Sequence, residues 1–196
     1  MDMTPTPART ADHPIADLFL VRWSPRAFGE APLEEAQVLT VLEAARWAPS
    51  ANNNQPWRFS YGLRGDAGFA AIAEALSPGN RLWAEKAGAL IVVGSATTVT
   101  RNGAEVPNGT HAFDTGAAWA MLAVQAHLSG LISHAMGGFE HDKMRAGLNI
   151  PGSFALHAVV ALGHPGDPST LPDTLRAREV PNQRRPLEET VQRGPY

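Results

Sequence analysis

Arg22-Trp23-Ser24-Pro25-Arg26 sets two arginines and a serine at alternate positions. In extended chain such positions share one face, so two guanidinium forks and a hydroxyl would converge. Bidentate charge-assisted bonds plus one neutral donor suit a phosphate monoester. Taken alone, the pentapeptide is more often a solvated edge. A second stretch, Pro49-Ser50-Ala51-Asn52-Asn53-Asn54-Gln55-Pro56-Trp57, carries four side-chain amides that can pair with the amide edge of a heterocycle. Asn and Pro also favour turns, although Gln55 and Trp57 add nothing to one. Gly137-Gly138-Phe139 would let a ligand approach bare backbone N–H groups, or would simply turn the chain. Arg184-Arg185-Pro186 adds cation near the C-terminus, by itself most simply solvated charge.

Several chemistries are not supported. The chain has no cysteine, which removes disulfides, thiolate nucleophiles, iron–sulfur clusters and Cys-type zinc sites, and fits a reducing cytoplasm. No G-x-G-x-x-G, G-x-x-x-x-G-K-[ST] or G-x-S-x-G occurs, so no Rossmann site, P-loop or serine-hydrolase elbow is expected. Glu140-His141-Asp142 and the scattered His127, His134, His157 and His164 lack ligand spacing, so no metal is expected. Fourteen arginines stand against two lysines, yet the net charge is −3 and the pI about 6.1. That balance makes no electrostatic case for nucleic acid or an anionic membrane. The first residues contain no apolar signal-peptide core. The longest apolar runs, 87–94 and 116–124, are about half the roughly 20 residues needed to cross a bilayer. A cytoplasmic, soluble protein is expected.

At 196 residues the chain suits one core with short arms. Residues 1–12 read as a frayed tail, and Asp12 with Pro14 as the start of a helix through Ile15, Leu18 and Phe19. Pro32 opens a second helix, with Leu39, Leu42 and Ala45 as its buried stripe and an end near Trp47. Residues 57–63 alternate apolar and polar without a miss, the pattern of a half-buried strand. Asp66 caps a helix through Phe69, Ile72 and Leu76, closed by Pro78-Gly79, and a short helix spans 80–86. Residues 89–95 and 154–162 are buried strands, 97–110 a long loop, and 114–129 an apolar helix stopped by Gly130. Residues 164–196, rich in proline, form an extended arm suited to lying over a partner chain. Strands alternating with helices predict an α/β or α+β layered domain.

Taken in order, these stretches resemble the nitroreductase family of FMN-dependent oxidoreductases. The matching pieces are Arg22-Trp23-Ser24-Pro25-Arg26-Ala27-Phe28, Ala44-Ala45-Arg46-Trp47-Ala48-Pro49-Ser50 and Asn54-Gln55-Pro56-Trp57. Asn80 with Trp83-Ala84, Asp114-Thr115-Gly116-Ala117-Ala118, Gly138-Phe139 and Arg185-Pro186-Leu187-Glu188-Glu189 follow, so the resemblance spans residues 14–191.

The resemblance implies an α+β fold, a three-layer α/β/α sandwich working as an intertwined homodimer. Its parts would be a tail (1–12), an FMN-binding domain (13–163) and an arm over the partner subunit (164–196). Helix 114–129 would lie at the dimer interface, with two FMN sites between the chains. Arg22, Ser24 and Arg26 would hold the phosphate and ribityl chain, Arg26 reaching the pyrimidine side, and Arg184 or Arg185 would complete the phosphate cage. Pro49, Ser50, Ala51, Asn53 and Gln55 would come from the other subunit, and Asn80 would bond the isoalloxazine edge. Gly137 and Gly138 would aim backbone N–H at flavin N5, so no catalytic side chain is implied. The implied activity is ping-pong hydride transfer from NADH or NADPH, through N5, to a nitroaromatic, quinone or enal-like acceptor. Trp83 and Met136 would touch substrate in a fairly open pocket. A non-enzymatic FMN-sequestering protein, or a dehalogenase or biosynthetic oxidase of the same fold, are the alternatives.

Overall fold

β-Branched and apolar residues crowd 89–96 and 154–163, and these segments form the two central strands of the molecule. The computed structural model describes residues 9–195. In chain order its elements are α1 (Asp17–Val21), α2 (Glu35–Arg46), β1 (Trp57–Leu63), α3 (Ala67–Ala75), α4 (Pro78–Ala84), β2 (Ala89–Ala96), β3 (Thr98–Arg101), β4 (Ala104–Pro107), α5 (His111–Leu128), β5 (Ile132–Met136), α6 (His141–Leu148), β6 (Phe154–Gly163) and α7 (Asp173–Arg176). The main sheet is antiparallel throughout, in the order β1-β2-β6-β5.

Helices cover both faces of that sheet, which makes three layers and the α+β class expected. On one face Leu90, Val92, Val159 and Ala161 pack against Phe69 and Ile72 of α3, Trp83 of α4 and Met144 of α6. On the other, Ile91, Val93, Val160 and Leu162 pack against Val38, Val41 and Ala45 of α2 and Ala118, Leu122 and Ala126 of α5. Burying a side chain such as Ile72 or Leu122 contributes about 1.5–3 kcal/mol. The alternation of β1 works as predicted: Trp57, Phe59, Tyr61 and Leu63 all face the layer of α2 and α5.

Several boundaries differ, each for a local reason. α2 starts at Glu35, because Glu34 and Gln37 form a reciprocal capping box after Pro32. It buries Val38, Val41 and Ala45, whereas Leu39 is turned outward, 49% exposed. α1 starts at Asp17; Asp12 instead accepts the Leu187 N–H of the arm at 2.7 Å. Asp66 does cap α3, accepting the Phe69 N–H at 2.7 Å. That helix ends at Ala75, however, because Leu76 turns extended to bridge Phe139. Pro78 therefore opens α4 rather than closing α3, its missing N–H costing nothing in the first turn.

The expected loop 97–110 is mostly a hairpin, β3 with β4. Asn102 and Gly103 turn it with φ of 51° and 78°, the left-handed pair a two-residue hairpin needs. β5 and α6 were not predicted as elements; α6 buries only Met144 and ends on Asn149 at φ 52°. The arm is extended as expected, apart from single helical turns, and drops Leu171 into the core at 8% exposure. Near the start of α5, the buried Ser95 hydroxyl lies 2.7 Å from both His111 Nδ1 and His157 Nε2. It has one proton to give, so at least one of the two rings must donate to it. Among the described residues, no helix is long and apolar enough to cross a membrane.

Candidate functional site

α1 ends at Val21, and Arg22 continues in extended backbone. From there Arg22, Ser24 and Arg26 face one pocket of about 460 Å³, joined by Trp23. The arm closes it with Ala177, Arg178, Val180, Asn182 and Arg184, while Arg9 and His134 complete the wall. The alternate spacing thus brings its three residues together. Of the two C-terminal arginines, Arg184 lines this pocket and Arg185 lines the neighbouring groove, which also includes Leu187.

Arg9, Arg22 and Arg184 gather here without a counterion: among the described residues, none of the three forms an ion pair with a carboxylate. Burial, and then the neighbouring Arg184 charge, hold the Arg22 guanidinium below its ordinary value. Arg9 is lowered by burial, by Arg184 and by Arg22. Arg9 Nε is shielded from solvent and has no hydrogen-bond partner. Guanidiniums this close, lacking an acid, have the charge and the donors that an anion would satisfy.

Arg26 is different, because the arm supplies it with a carboxylate. Glu179, with its side chain 2% exposed, accepts the backbone N–H of Arg26 at 2.5 Å and of Ala27 at 2.9 Å. Its second oxygen lies 3.7 Å from Arg26 Nη1. The Arg26 guanidinium sits 5.8 Å from the ring centre of Trp83, which in turn lies 4.7 Å from that of His134. His134 Nδ1 is 3.1 Å from the Pro25 carbonyl, so that nitrogen carries the proton and donates. Burial and then the Arg26 charge push His134 below its ordinary value. Glu179 and Arg9 escaped the sequence reading, since an acid in a charged arm and an arginine in a polar tail carry no local signal.

The amide-rich stretch forms a tight turn. Ser50 is extended, and Asn52, Asn53 and Gln55 have φ of 50°, 54° and 47°. Left-handed residues other than glycine each cost on the order of 1 kcal/mol, so surrounding bonds must hold them. Ser50 Oγ accepts the Gln55 N–H at 3.0 Å. Asp114, 3% exposed in the first turn of α5, accepts the Ala51 N–H at 3.3 Å and the Thr110 hydroxyl at 2.9 Å. Pro49 and Ser50 therefore lead into a turn anchored on the start of α5.

Asn80 does not point freely outward. Its Nδ2 donates to the Gly138 carbonyl at 3.0 Å, which also accepts the Ser77 N–H at 3.0 Å. A Cβ on Gly138 would meet Asn80 Nδ2 at 2.8 Å and Ser77 Oγ at 2.9 Å, so a side chain there would displace the Asn80 amide and the Ser77 hydroxyl. Gly137 has open space where a Cβ would stand. Trp83 and Met136, expected at the substrate, are 3% and 4% exposed and belong to the core. Met136, on β5, fills the same core cluster as Trp83, and Trp83, on α4, backs Arg26 and His134 instead.

The arginine pocket and the amide turn lie at opposite ends of α5. Asp114 anchors the turn in its first turn, and His127 in its last is pushed down by burial and by the Arg22 charge. Eighteen residues of helix separate such ends by roughly 27 Å. Between them α5 leaves Phe113, Met121 and Leu128 exposed at 84%, 42% and 65%, an apolar surface.

A protein-family model described as "Nitroreductase family" matches residues 20–77. An "NADH dehydrogenase" of Thermus thermophilus is 30% identical over 201 residues, covering 88% of this chain and 92% of that one. An uncharacterised 15.4 kDa protein of Mycolicibacterium smegmatis is 35% identical over 146 residues, covering 70% and 95%. A solved structure described as an oxidoreductase containing FMN superposes with a TM-score of 0.94 at 44% identity, covering 99% of this chain and 98% of its own. With the Arg22–Arg26 segment inside the matched region and a near-superposable fold, the chain belongs to the nitroreductase family.

Proposed function

We propose that this protein is an FMN-dependent NAD(P)H oxidoreductase that works as a homodimer, each site built from two chains. The observation that carries this reading is the gathering of Arg9, Arg22 and Arg184 without counterions at one end of α5, with an amide-rich turn at the other. Two copies packed antiparallel along α5 would bring one chain's arginines to the other's turn and cover Phe113, Met121 and Leu128. Apolar burial of that kind drives association, and an isologous interface repeats each contact twice.

The residues present fit the phosphate end of FMN. An orphaned Arg9 Nε and two further unpaired arginines ask for a dianion with several acceptor oxygens. Arg22, Arg184 and Ser24 would hold that phosphate, with Arg185 at its edge. Arg26, its backbone and side chain both oriented by Glu179, would face the pyrimidine side of the ring. Asn53 and Gln55, with Pro49, Ser50 and Ala51, would pair with the ring from the partner copy. Asn80 would act by fixing the Gly138 carbonyl, which leaves the backbone at Gly137 approachable from outside.

When bound, FMN supplies a reversible hydride acceptor at its N5, and the protein supplies position and field. No residue of this chain need donate or abstract a proton. NADH or NADPH is the proposed donor, and a small organic acceptor such as a nitroaromatic, quinone or enal-like compound the outlet. Residues 13–163 would form the binding domain and 164–196 the arm over the partner.

Purification followed by anaerobic mixing tests this. A yellow protein near stoichiometric in flavin, bleached by NADH or NADPH, is the expected result, and Arg22→Ala should emerge colourless. An unreactive yellow protein would favour sequestration; a colourless monomer indifferent to added FMN would overturn the reading.

A further inference from the structure

The geometry points to Arg9 as a third guanidinium of the anion site, so that a bound phosphate would tie the N-terminal segment to the Arg22–Arg26 stretch and to the arm. This rests on the FMN reading of the pocket and goes beyond it, because Arg9 lies in a stretch whose sequence predicts only a tail.

Arg9 belongs to no helix or strand, yet its side chain is firmly placed. Nη1 donates to the carbonyls of Leu20 at 3.1 Å and Arg22 at 2.8 Å, bridging the end of α1 to the first residue of the pocket. Asp12, three residues on, accepts the Leu187 N–H of the arm at 2.7 Å, which keeps this segment beside Arg184. Those bonds use one end of the guanidinium and leave Nε buried with no acceptor. A buried donor without a partner is uncommon, and an ordered anion or water beside it would supply the missing acceptor. The guanidiniums of Arg22 and Arg184 line the same pocket and carry donors only, so they offer no acceptor either.

The three arginines come from three segments that no regular element joins: the N-terminal stretch, the residues after α1, and the arm. Only charge brought from outside makes their proximity favourable. A phosphate monoester dianion does so, its terminal oxygens having room for three forks. A neutral ligand with the same ring system does not. Arg9 would therefore discriminate the phosphorylated flavin from the unphosphorylated one, and its own protection would report occupancy.

The test uses the full chain, with FMN, riboflavin and inorganic phosphate as probes. Flavin fluorescence titration reads affinity, and trypsin cleavage after Arg9, followed by mass spectrometry, reads its protection. Arg9→Ala should weaken FMN about tenfold or more, the effect of losing one charge-assisted pair, while leaving riboflavin unchanged. Arg9→Lys should fall between. In the wild type, FMN and millimolar phosphate should slow cleavage at Arg9, and riboflavin should not. Equal FMN affinity in Arg9→Ala, or equal weakening of both flavins, would overturn the inference and leave Arg9 as a cap on α1. Should the wild type bind no FMN, the functional reading itself falls; phosphate protection of Arg9 would then still support an anion site here, and its absence would overturn one.

Discussion

The Glu179 carboxylate accepts the backbone N–H of Arg26 at 2.5 Å, across 153 residues of chain. The same oxygen takes the Ala27 N–H, and the other faces the Arg26 guanidinium. The arm thereby sets both the peptide and the side chain of one pocket arginine. Glu179→Ala would strand two partly buried N–H groups, each costing about 1–3 kcal/mol. The expected loss is about 2–4 kcal/mol, or a melting midpoint lower by about 5–15 °C for a domain of this size. Glu179→Gln keeps an acceptor and should lose less than half as much. Thermal unfolding followed by circular dichroism measures both, and an unchanged Glu179→Ala midpoint would contradict the contact.

Asp114 holds the strained turn from the side of α5. Asp114→Ala removes the acceptor of the Ala51 N–H and of the Thr110 hydroxyl, releasing Asn52 and Asn53 from their left-handed backbone. Stability should fall by about 1–3 kcal/mol. FMN affinity should fall further than that of a variant matched for melting temperature, because the amide groups would lose their arrangement. Isothermal titration with FMN separates the two effects; equal affinity in the matched pair would mean the turn does not contact the ring.

If each site takes arginines from one chain and the amide turn from the other, two dead variants should rescue one another. Arg22→Ala and Asp114→Ala homodimers each have both sites damaged. Random exchange of subunits makes about half of the dimers mixed, and each mixed dimer has one intact site, so about a quarter of all sites should recover. Flavin absorbance after co-refolding and gel filtration counts them. No recovery, with exchange demonstrated by mass, would place both halves on one chain.

His134 makes stability depend on pH. Burial and the Arg26 charge lower its affinity for a proton, so below about pH 6.5 the unfolded chain takes up a proton that the native state refuses. Stability is therefore fully present above that pH and declines as the pH falls through the window beneath it, by at most about 1.4 kcal/mol per unit from this one group. His127 and His157 are shifted in the same direction and add to the slope. His134→Gln keeps a donor for the Pro25 carbonyl and should flatten the decline. Urea unfolding at pH 7.5, 6.5 and 5.5 measures it, and an unchanged slope would show that His134 is protonated freely.

The elements with strong local character were legible in the sequence. The alternation of Trp57–Leu63, the apolar runs of β2 and β6, the Asp66 cap and the apolar α5 all formed as the pattern requires, because each is settled by contacts among near neighbours and by one apolar face. The Asn102-Gly103 turn is equally local, yet the sequence reading expected a loop over 97–110 and missed the hairpin that this dipeptide turns. The alternate Arg22, Ser24 and Arg26 share a pocket for the same reason.

What tertiary structure alone decided is which charges are paired and which are left bare. Arg26 is paired with a carboxylate 153 positions away, whereas Arg9, Arg22 and Arg184 meet without an acid, and no spacing rule reaches that far. The burial of Trp83, on α4, and Met136, on β5, in one core cluster was decided there too. The gap between arginine pocket and amide turn is the length of α5, a distance that exists only once the helix is laid across the sheet with an end at each.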